Sequence, residues 1–290
     1  MSQMNAELPL IMIKDVNYSY PNGTIALKDI NLNLYGGELI GIMGKNGAGK
    51  TTLIRTLNGL IRPTQGEIYV NNKNINTATI ATLSKKVGII FQNASHQLFA
   101  NTVEDEIKFS LKSFNLDKEE SQIRTNKILH QFNLEKYRER SPLNLSGGES
   151  KKLAIASIFC RDPEILIFDE PTLGQDAREI EFFLGLIEKE RENGKTIIII
   201  THNIEFAFEF IPRTILMAEG KLIADGPTQK VLNCEELIEK SSLILPQSRQ
   251  LSLALQASGF QNTNTLFSKA DVTKYLMQFI KNSSGSAQKR

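Results

Sequence analysis

The chain has 290 residues, a formal net charge of +2, 41% hydrophobic and 23% charged residues, enough for a large core in one or two domains. With 19 glycines and 9 prolines, its composition excludes collagen-like and disordered classes. Lys and Arg are mixed among Asp and Glu, so no nucleic-acid footprint stands out and no nucleic-acid partner is expected.

The predicted elements begin with strands. Ile30, Leu32 and Leu34 alternate with Asn31 and Asn33, the period of a half-buried strand. Turn residues Tyr35-Gly36-Gly37-Glu38 follow, then Leu39 to Met43, apolar throughout as suits a strand buried on both faces of a parallel sheet. That strand ends at Gly44, and a helix is expected from near Lys50. A hairpin-like unit, Glu67 to Ile75, leads to an apolar strand, Val87 to Phe91. From Asn93 to Arg161 the pattern turns helical, with capping-box-like starts at Thr102/Asp105 and Asp117/Glu120.

Strand patterns return at Ile165 to Phe168, Ile197 to Ile200 and Thr214 to Ala218, and the helix between the first two stops at Asn193-Gly194. Alternating strands and helices predict an α/β fold with a parallel sheet covered on both faces. Residues 1–228 read as the core domain, with a helical insertion at about 93–161, and residues 229–290 as a small accessory domain. Helices are expected after Pro246 and from Asp271 to Ile280, and the small-residue-rich tail from Lys281 to Arg290 is expected to fray.

Cys160 and Cys234 form neither a disulfide framework nor a metal spacing, which fits a reducing compartment. No signal-peptide pattern opens the sequence. Its apolar runs fall short of the roughly 18 residues of a membrane span. Work at a membrane is therefore expected to be peripheral, through a partner.

Three motifs carry chemistry. Gly44-Lys45-Asn46-Gly47-Ala48-Gly49-Lys50-Thr51 matches the P-loop pattern between a predicted strand and helix. Gly47 and Gly49 let backbone N–H groups turn toward phosphate oxygens, and the helix start adds its dipole. Lys50 would reach the β- and γ-phosphates of ATP, and Thr51, followed by Thr52, would offer a hydroxyl to Mg²⁺. The second motif is an apolar strand ending in Asp169-Glu170. Two acids after a strand are by themselves an ordinary solvated loop. Downstream of a P-loop they become a Mg²⁺ anchor, Asp169, and a general base, Glu170. The third is Leu145-Ser146-Gly147-Gly148-Glu149 before a helical run. It reads as a plain N-cap or as a second anion site built from backbone donors.

P-loop, Leu-Ser-Gly-Gly and strand-Asp-Glu-Pro in this order resemble the ATP-binding cassette of ABC transporters, over about Ile11 to Gly226. The resemblance implies a P-loop NTPase cassette with an N-terminal antiparallel β-subdomain, a helical subdomain and a C-terminal accessory domain. It further implies a head-to-tail dimer, homo- or heteromeric, in which the Ser146-Gly147-Gly148 turn of one copy faces the γ-phosphate held by the other. It assigns Tyr20 to stacking on adenine, Gln92 to sensing Mg²⁺ and the lytic water, and His202 to the γ-phosphate. The segments Tyr18-Ser19-Tyr20-Pro21, Leu57-Asn58-Gly59-Leu60 and Phe91-Gln92-Asn93 with Gln97-Leu98-Phe99 are similar to those of energy-coupling-factor importer ATPases. That likeness implies a peripheral subunit on the cytoplasmic side of the cell membrane. It would drive vitamin or transition-metal uptake through a transmembrane coupling subunit and a substrate-binding membrane subunit. A conventional ABC transporter subunit and a soluble non-transport cassette are the alternatives. Glu149 where Gln is usual, Gln175 where Leu is usual, and Ala94-Ser95-His96 before Gln97 depart from the pattern.

Overall fold

A computed structural model describes residues 8–261, 263 and 269–287 of the chain. Two compact units emerge. The first holds the described residues through Leu39 together with Gly49–Ile200; the second holds Ile40–Ala48 and the described residues from Thr201 on.

In the first unit, β1 (Ile11–Ser19), β2 (Ile25–Leu34), β4 (Gln65–Val70) and β5 (Lys73–Asn74) form an antiparallel sheet in the order β2-β1-β4-β5. The pairs Ile11↔Leu34, Ile13↔Leu32 and Val16↔Ile30 put apolar residues on one buried face. Between Ile13 and Val16 the register slips by one residue, with Asp15 at φ 47°. This β-bulge returns Val16 to the core face. Gly66, opposite the bulge on β4, has φ 83°, and a Cβ there would stand 2.3 Å from the Asp15 carbonyl oxygen. The predicted hairpin is present: Asn71 and Asn72 turn at φ 50° and 57°, both positive as a two-residue type I′ turn requires.

The same unit carries three parallel strands, β6 (Val87–Ile90), β7 (Ile165–Asp169) and β8 (Thr196–Ile200), paired β6-β7-β8 and buried throughout. β6 stops at Ile90, one residue short of the expected Phe91. Its helices are α1 (Lys50–Leu57), α2 (Ile80–Ser84), α3 (Val103–Leu111), α4 (Lys118–Gln131), α5 (Gly147–Phe159) and α6 (Ala177–Glu192). Thr102 and Asp117 cap α3 and α4 by accepting from the backbone N–H groups of Asp105 and Glu120. Phe132, after α4, meets Phe159 of α5 at 5.6 Å, and Phe168 of β7 meets Phe183 of α6 at 4.9 Å. The first of these edge-on contacts packs the end of α4 on α5, and the second fastens α6 to β7. α6 ends as expected, at Asn193 with Gly194 at φ 80°.

The second unit takes β3 (Leu39–Met43) from Ile40 on and pairs it in parallel with β9 (Arg213–Ala218), and β9 antiparallel with β10 (Lys221–Pro227). Its helices are α7 (Ile204–Phe210), α8 (Thr228–Leu232), α9 (Glu235–Ser241), α10 (Gln247–Ala257) and α11 (Lys269–Ala287). α10 and α11 match the two expected accessory helices, whereas α8 and α9 carry no legible periodic pattern. α11 runs past Ile280 to Ala287. The described part of that tail is thus helical through Ala287; Gln288 to Arg290 lie outside the described residues. Among the described residues no helix is long and apolar enough to cross a membrane.

Candidate functional site

After β3, the second unit turns sharply. Gly44 has φ 143°, and a Cβ on it would lie 2.2 Å from the Met217 carbonyl oxygen of β9. Only glycine fits so close to that backbone. Lys45, Asn46 and Gly47 are exposed, with Gly47 at φ 83°. The Ala48 N–H donates to the Lys45 carbonyl at 3.1 Å, and Ala48 is buried.

Across the next peptide, in the first unit, Gly49 at φ 102° opens α1. No side chain caps this helix and no acid sits in its first turn. A helix start leaves N–H donors without intrahelical partners, and here no capping side chain and no acid of the helix's own first turn competes with an incoming anion. Lys50, the first helical residue, is buried. Burial pulls its ammonium pKa down, while the Glu170 and Asp169 carboxylates hold it up.

Asp169 ends β7 and is also buried. Burial raises its pKa, and a hydrogen bond from the Thr51 hydroxyl at 3.3 Å opposes that rise. Glu170, 8% exposed, has φ 53°, and its N–H donates to the Ile200 carbonyl at 2.9 Å. A left-handed glutamate costs about 1–3 kcal/mol, strain of a kind that clusters at active sites. Tyr20 shares a 2.9 Å hydroxyl hydrogen bond with Thr52 and meets Tyr18 edge-on at 5.0 Å. Gln92 is exposed two residues beyond β6, whose Ile90 pairs with Phe168. The first unit thus gathers Lys50, Thr51, Asp169 and Glu170 in one place, with Tyr20 on Thr52.

His202 belongs to the second unit, where it is exposed just before α7. Its neighbour Asn203 caps that helix by accepting from the Phe206 N–H at 3.0 Å.

The Ser146 turn starts α5 with a complete capping box. The Ser146 hydroxyl accepts from the Glu149 N–H at 3.4 Å, and Glu149 Oε2 accepts from the Ser146 N–H at 2.8 Å. The Tyr137 hydroxyl and the Ser146 groups hold the Glu149 carboxyl down to about 2. The unusual Glu149 is therefore engaged by its own chain. Tyr137 was not legible as its partner, because twelve positions and several short turns separate the two. Gly147 is exposed with open space around it.

The donor set suits MgATP. Thr51 and Asp169 offer hard oxygen ligands of the kind Mg²⁺ takes, and a buried ammonium beside an uncapped helix start suits phosphate. Among the described residues no cluster of His, Cys, Asp and Glu forms a separate metal site.

Comparison with known proteins decides the family. A family profile described as ABC transporter matches residues 27–173. The energy-coupling factor transporter ATP-binding protein EcfA2 of Clostridium perfringens is 34% identical over 94% of this chain and 99% of its own length. The chain belongs to the ABC transporter ATP-binding family. Among solved structures of this family, cbiO1 from Clostridium perfringens, part of the ABC transporter complex cbiONQ, is similar with a TM-score of 0.71. It is 34% identical and covers 84% of this chain and 99% of its own. A dimeric ATP-binding cassette in a post-hydrolysis state, bound to ADP and Pi, is similar with a TM-score of 0.68 and 30% identity, over 75% of this chain and 98% of its own. Two Methanosarcina relatives, each a putative ABC transporter ATP-binding protein, are longer: this chain spans 42% and 44% of their lengths.

Proposed function

We propose that this cassette binds and hydrolyses MgATP as the motor subunit of an energy-coupling-factor-type importer. The observation that carries this reading is the group of buried Lys50, Asp169 and Glu170 with half-buried Thr51, at the start of α1 and the end of β7. Lys50, with the backbone of residues 44–49 and the hydroxyl of Thr52, holds the phosphates. Thr51, Asp169 and Gln92 would hold Mg²⁺, which would supply charge neutralisation at the β- and γ-phosphates. Glu170 accepts the proton of the attacking water, its carboxylate fixed in direction by the strained backbone below it. Tyr20 stacks on the adenine and His202 contacts the γ-phosphate.

The functional pair is two cassettes, alike or different, each presenting Ser146, Gly147 and Gly148 to the nucleotide of the other. ATP favours the closed pair because only the triphosphate can bridge both halves, and hydrolysis removes that preference. Residues 1–228, with the helical insertion at about 93–161, form the cassette, and residues 229–290 the accessory domain. A transmembrane coupling subunit and a substrate-binding membrane subunit carry the motion to a vitamin or a transition-metal ion. The cassette itself sits on the cytoplasmic face of the membrane. Isolation of the membrane complex with this chain tests the reading. It predicts co-purification of both membrane subunits with a bound vitamin or metal and ATP-driven uptake after reconstitution in lipid; a chain recovered only free of membranes would overturn it.

A further inference from the structure

Helix α5 and the loop after β7 are fastened together by side chains that the phosphate site does not use. Lys151, in the second turn of the helical run that Ser146 opens, donates from Nζ to the carbonyl of Pro171 at 2.5 Å. Pro171 directly follows Glu170 in the chain. The Gln175 amide, oriented to meet complementary neighbours on both sides, accepts from Lys151 Nζ at 3.2 Å and donates to Glu179 Oε2 at 3.3 Å. Glu179 Oε2 also accepts from the Asp176 N–H at 3.2 Å, completing the start of α6. Its other oxygen packs on Gly148, where an added Cβ would come within 2.6 Å.

Helix stability does not account for this placement. A lysine near a helix N-terminus opposes the macrodipole, and burying its ammonium costs free energy unless partners meet it. Burial does lower the Lys151 pKa, with the Glu179 charge opposing. Yet the ammonium points inward, onto the loop that carries Glu170. The contacts run from α5 through the loop of Pro171 and Gln175 to Glu179 in the first turn of α6, so a shift at Gly148 reaches Pro171 through a contiguous set of contacts.

We propose that Lys151, with Gln175 and Glu179, is a positioning brace that couples the Ser146–Gly148 turn to the loop bearing Glu170. The inference rests on the function proposed above. In a head-to-tail pair, Ser146 of one chain faces the partner's nucleotide while Glu170 of the same chain acts on its own, so the brace links the two nucleotides through a single chain. Gln175, where the family's usual residue is Leu, supplies the polar middle of that link. Coupling of this kind is reciprocal: what one nucleotide does to the other is returned in equal measure.

The test compares wild type, Lys151→Met, Lys151→Arg, Gln175→Leu and the double variant Lys151→Met with Gln175→Leu. Phosphate release is measured against ATP concentration, alongside the affinity of the isolated chain for a fluorescent ATP analogue. Lys151→Met keeps the apolar stem but removes the charge. It should lower kcat roughly tenfold and bring the Hill coefficient to about 1, with nucleotide affinity changed by less than about twofold. Lys151→Arg should recover most of the loss, and the double variant should be no worse than Lys151→Met alone, since both remove one contact. Wild-type kcat and Hill coefficient in Lys151→Met would overturn the brace, as would parallel losses of affinity, melting temperature and kcat that Arg does not rescue. Hydrogen exchange of the nucleotide-free chain gives a readout independent of catalysis. Lys151→Met should accelerate exchange at the amides of residues 172–176 and 148–149 together, and unchanged exchange would overturn the brace. A wild-type chain with protected amides that releases no phosphate would instead count against the proposed function alone.

Discussion

The Thr51 hydroxyl donates to Asp169 Oδ2 at 3.3 Å, joining the second residue of α1 to the last residue of β7. Lys50 lies beside the same carboxylate and beside Glu170, and all three of these charged groups are buried. Such a set is stable only when the charges meet one another or a ligand. Lys50→Ala removes the cation and should weaken ATP binding about a hundredfold, since hydrogen bonds to charged groups carry about 1.5–3 kcal/mol each. Titration with a fluorescent nucleotide checks this; wild-type affinity would remove Lys50 from the phosphate site.

Glu149 should act locally. Its carboxylate is held by Tyr137 and Ser146. Glu149→Gln is therefore expected to destabilise the chain by about 0.3–1 kcal/mol, the worth of an acid at a helix start, and to leave ATP turnover nearly unchanged. Denaturant melts and ATP-driven dimerisation at two salt concentrations check the pair of outcomes. Tighter dimerisation that loses its salt dependence would instead place the carboxylate near the partner's phosphate.

The segment after Gln92 divides its two apolar residues. Leu98 is packed, whereas Phe99 is 64% exposed and rests edge-on against Phe109 at 4.5 Å. The buried Glu106 carboxylate fixes this turn by accepting from the Phe99 and Ala100 N–H groups, each at 2.9 Å. Gln97→Ala with Phe99→Ser should impair transport far more than ATP hydrolysis in the reconstituted complex. Equal loss of both, with a lowered melting temperature, would assign the segment to packing, and full transport would remove it from the coupling path.

Acid should loosen the helical insertion. Burial would raise the Glu104 pKa, but Lys108, Gln122 and Arg138, each within 2.9 Å, outweigh it and hold the carboxyl down to about 2. A carboxyl depressed on folding contributes stability above its ordinary value of 4.5, and that contribution is lost as pH falls from there toward 2. Near the surface, solvent screening reduces it to about 1 kcal/mol. Denaturant unfolding between pH 7 and pH 3 should show wild type more stable than Glu104→Gln at neutral pH, with the curves converging in acid. Parallel curves would contradict the ion pairs.

The sequence carried the local structure well and the assembly less so. β3 and β8 are legible because every residue in them is buried, so Leu39–Met43 and, after Thr196, Ile197–Ile200 read as unbroken apolar runs. The turn at Gly44 is legible because close backbone approach and positive φ leave a glycine signature. The short α8 and α9 are not legible, because five and seven residues hold too few turns to show a 3.6-residue period. The grouping of Ile40–Ala48 with residues beyond Thr201 is likewise hidden, since parallel pairing such as Ile42↔Ile215 joins positions far apart in the chain. Within the candidate site the residue types could be read from motifs. Their partners could not: Tyr137 on Glu149, Lys151 on Pro171 and Tyr20 on Thr52 are contacts made only on folding.

The central claim is that Glu170 takes the proton of the attacking water, and Glu170→Gln tests it most directly. The amide keeps the shape of the side chain and cannot accept that proton. The measurement is phosphate release by the variant, with size-exclusion chromatography in the presence of MgATP. Turnover should fall by roughly 10²–10⁴, the usual worth of general-base catalysis, while ATP still binds and an ATP-bound dimer accumulates because reopening is blocked. Wild-type turnover, with a chain that stays monomeric in MgATP, would contradict the account.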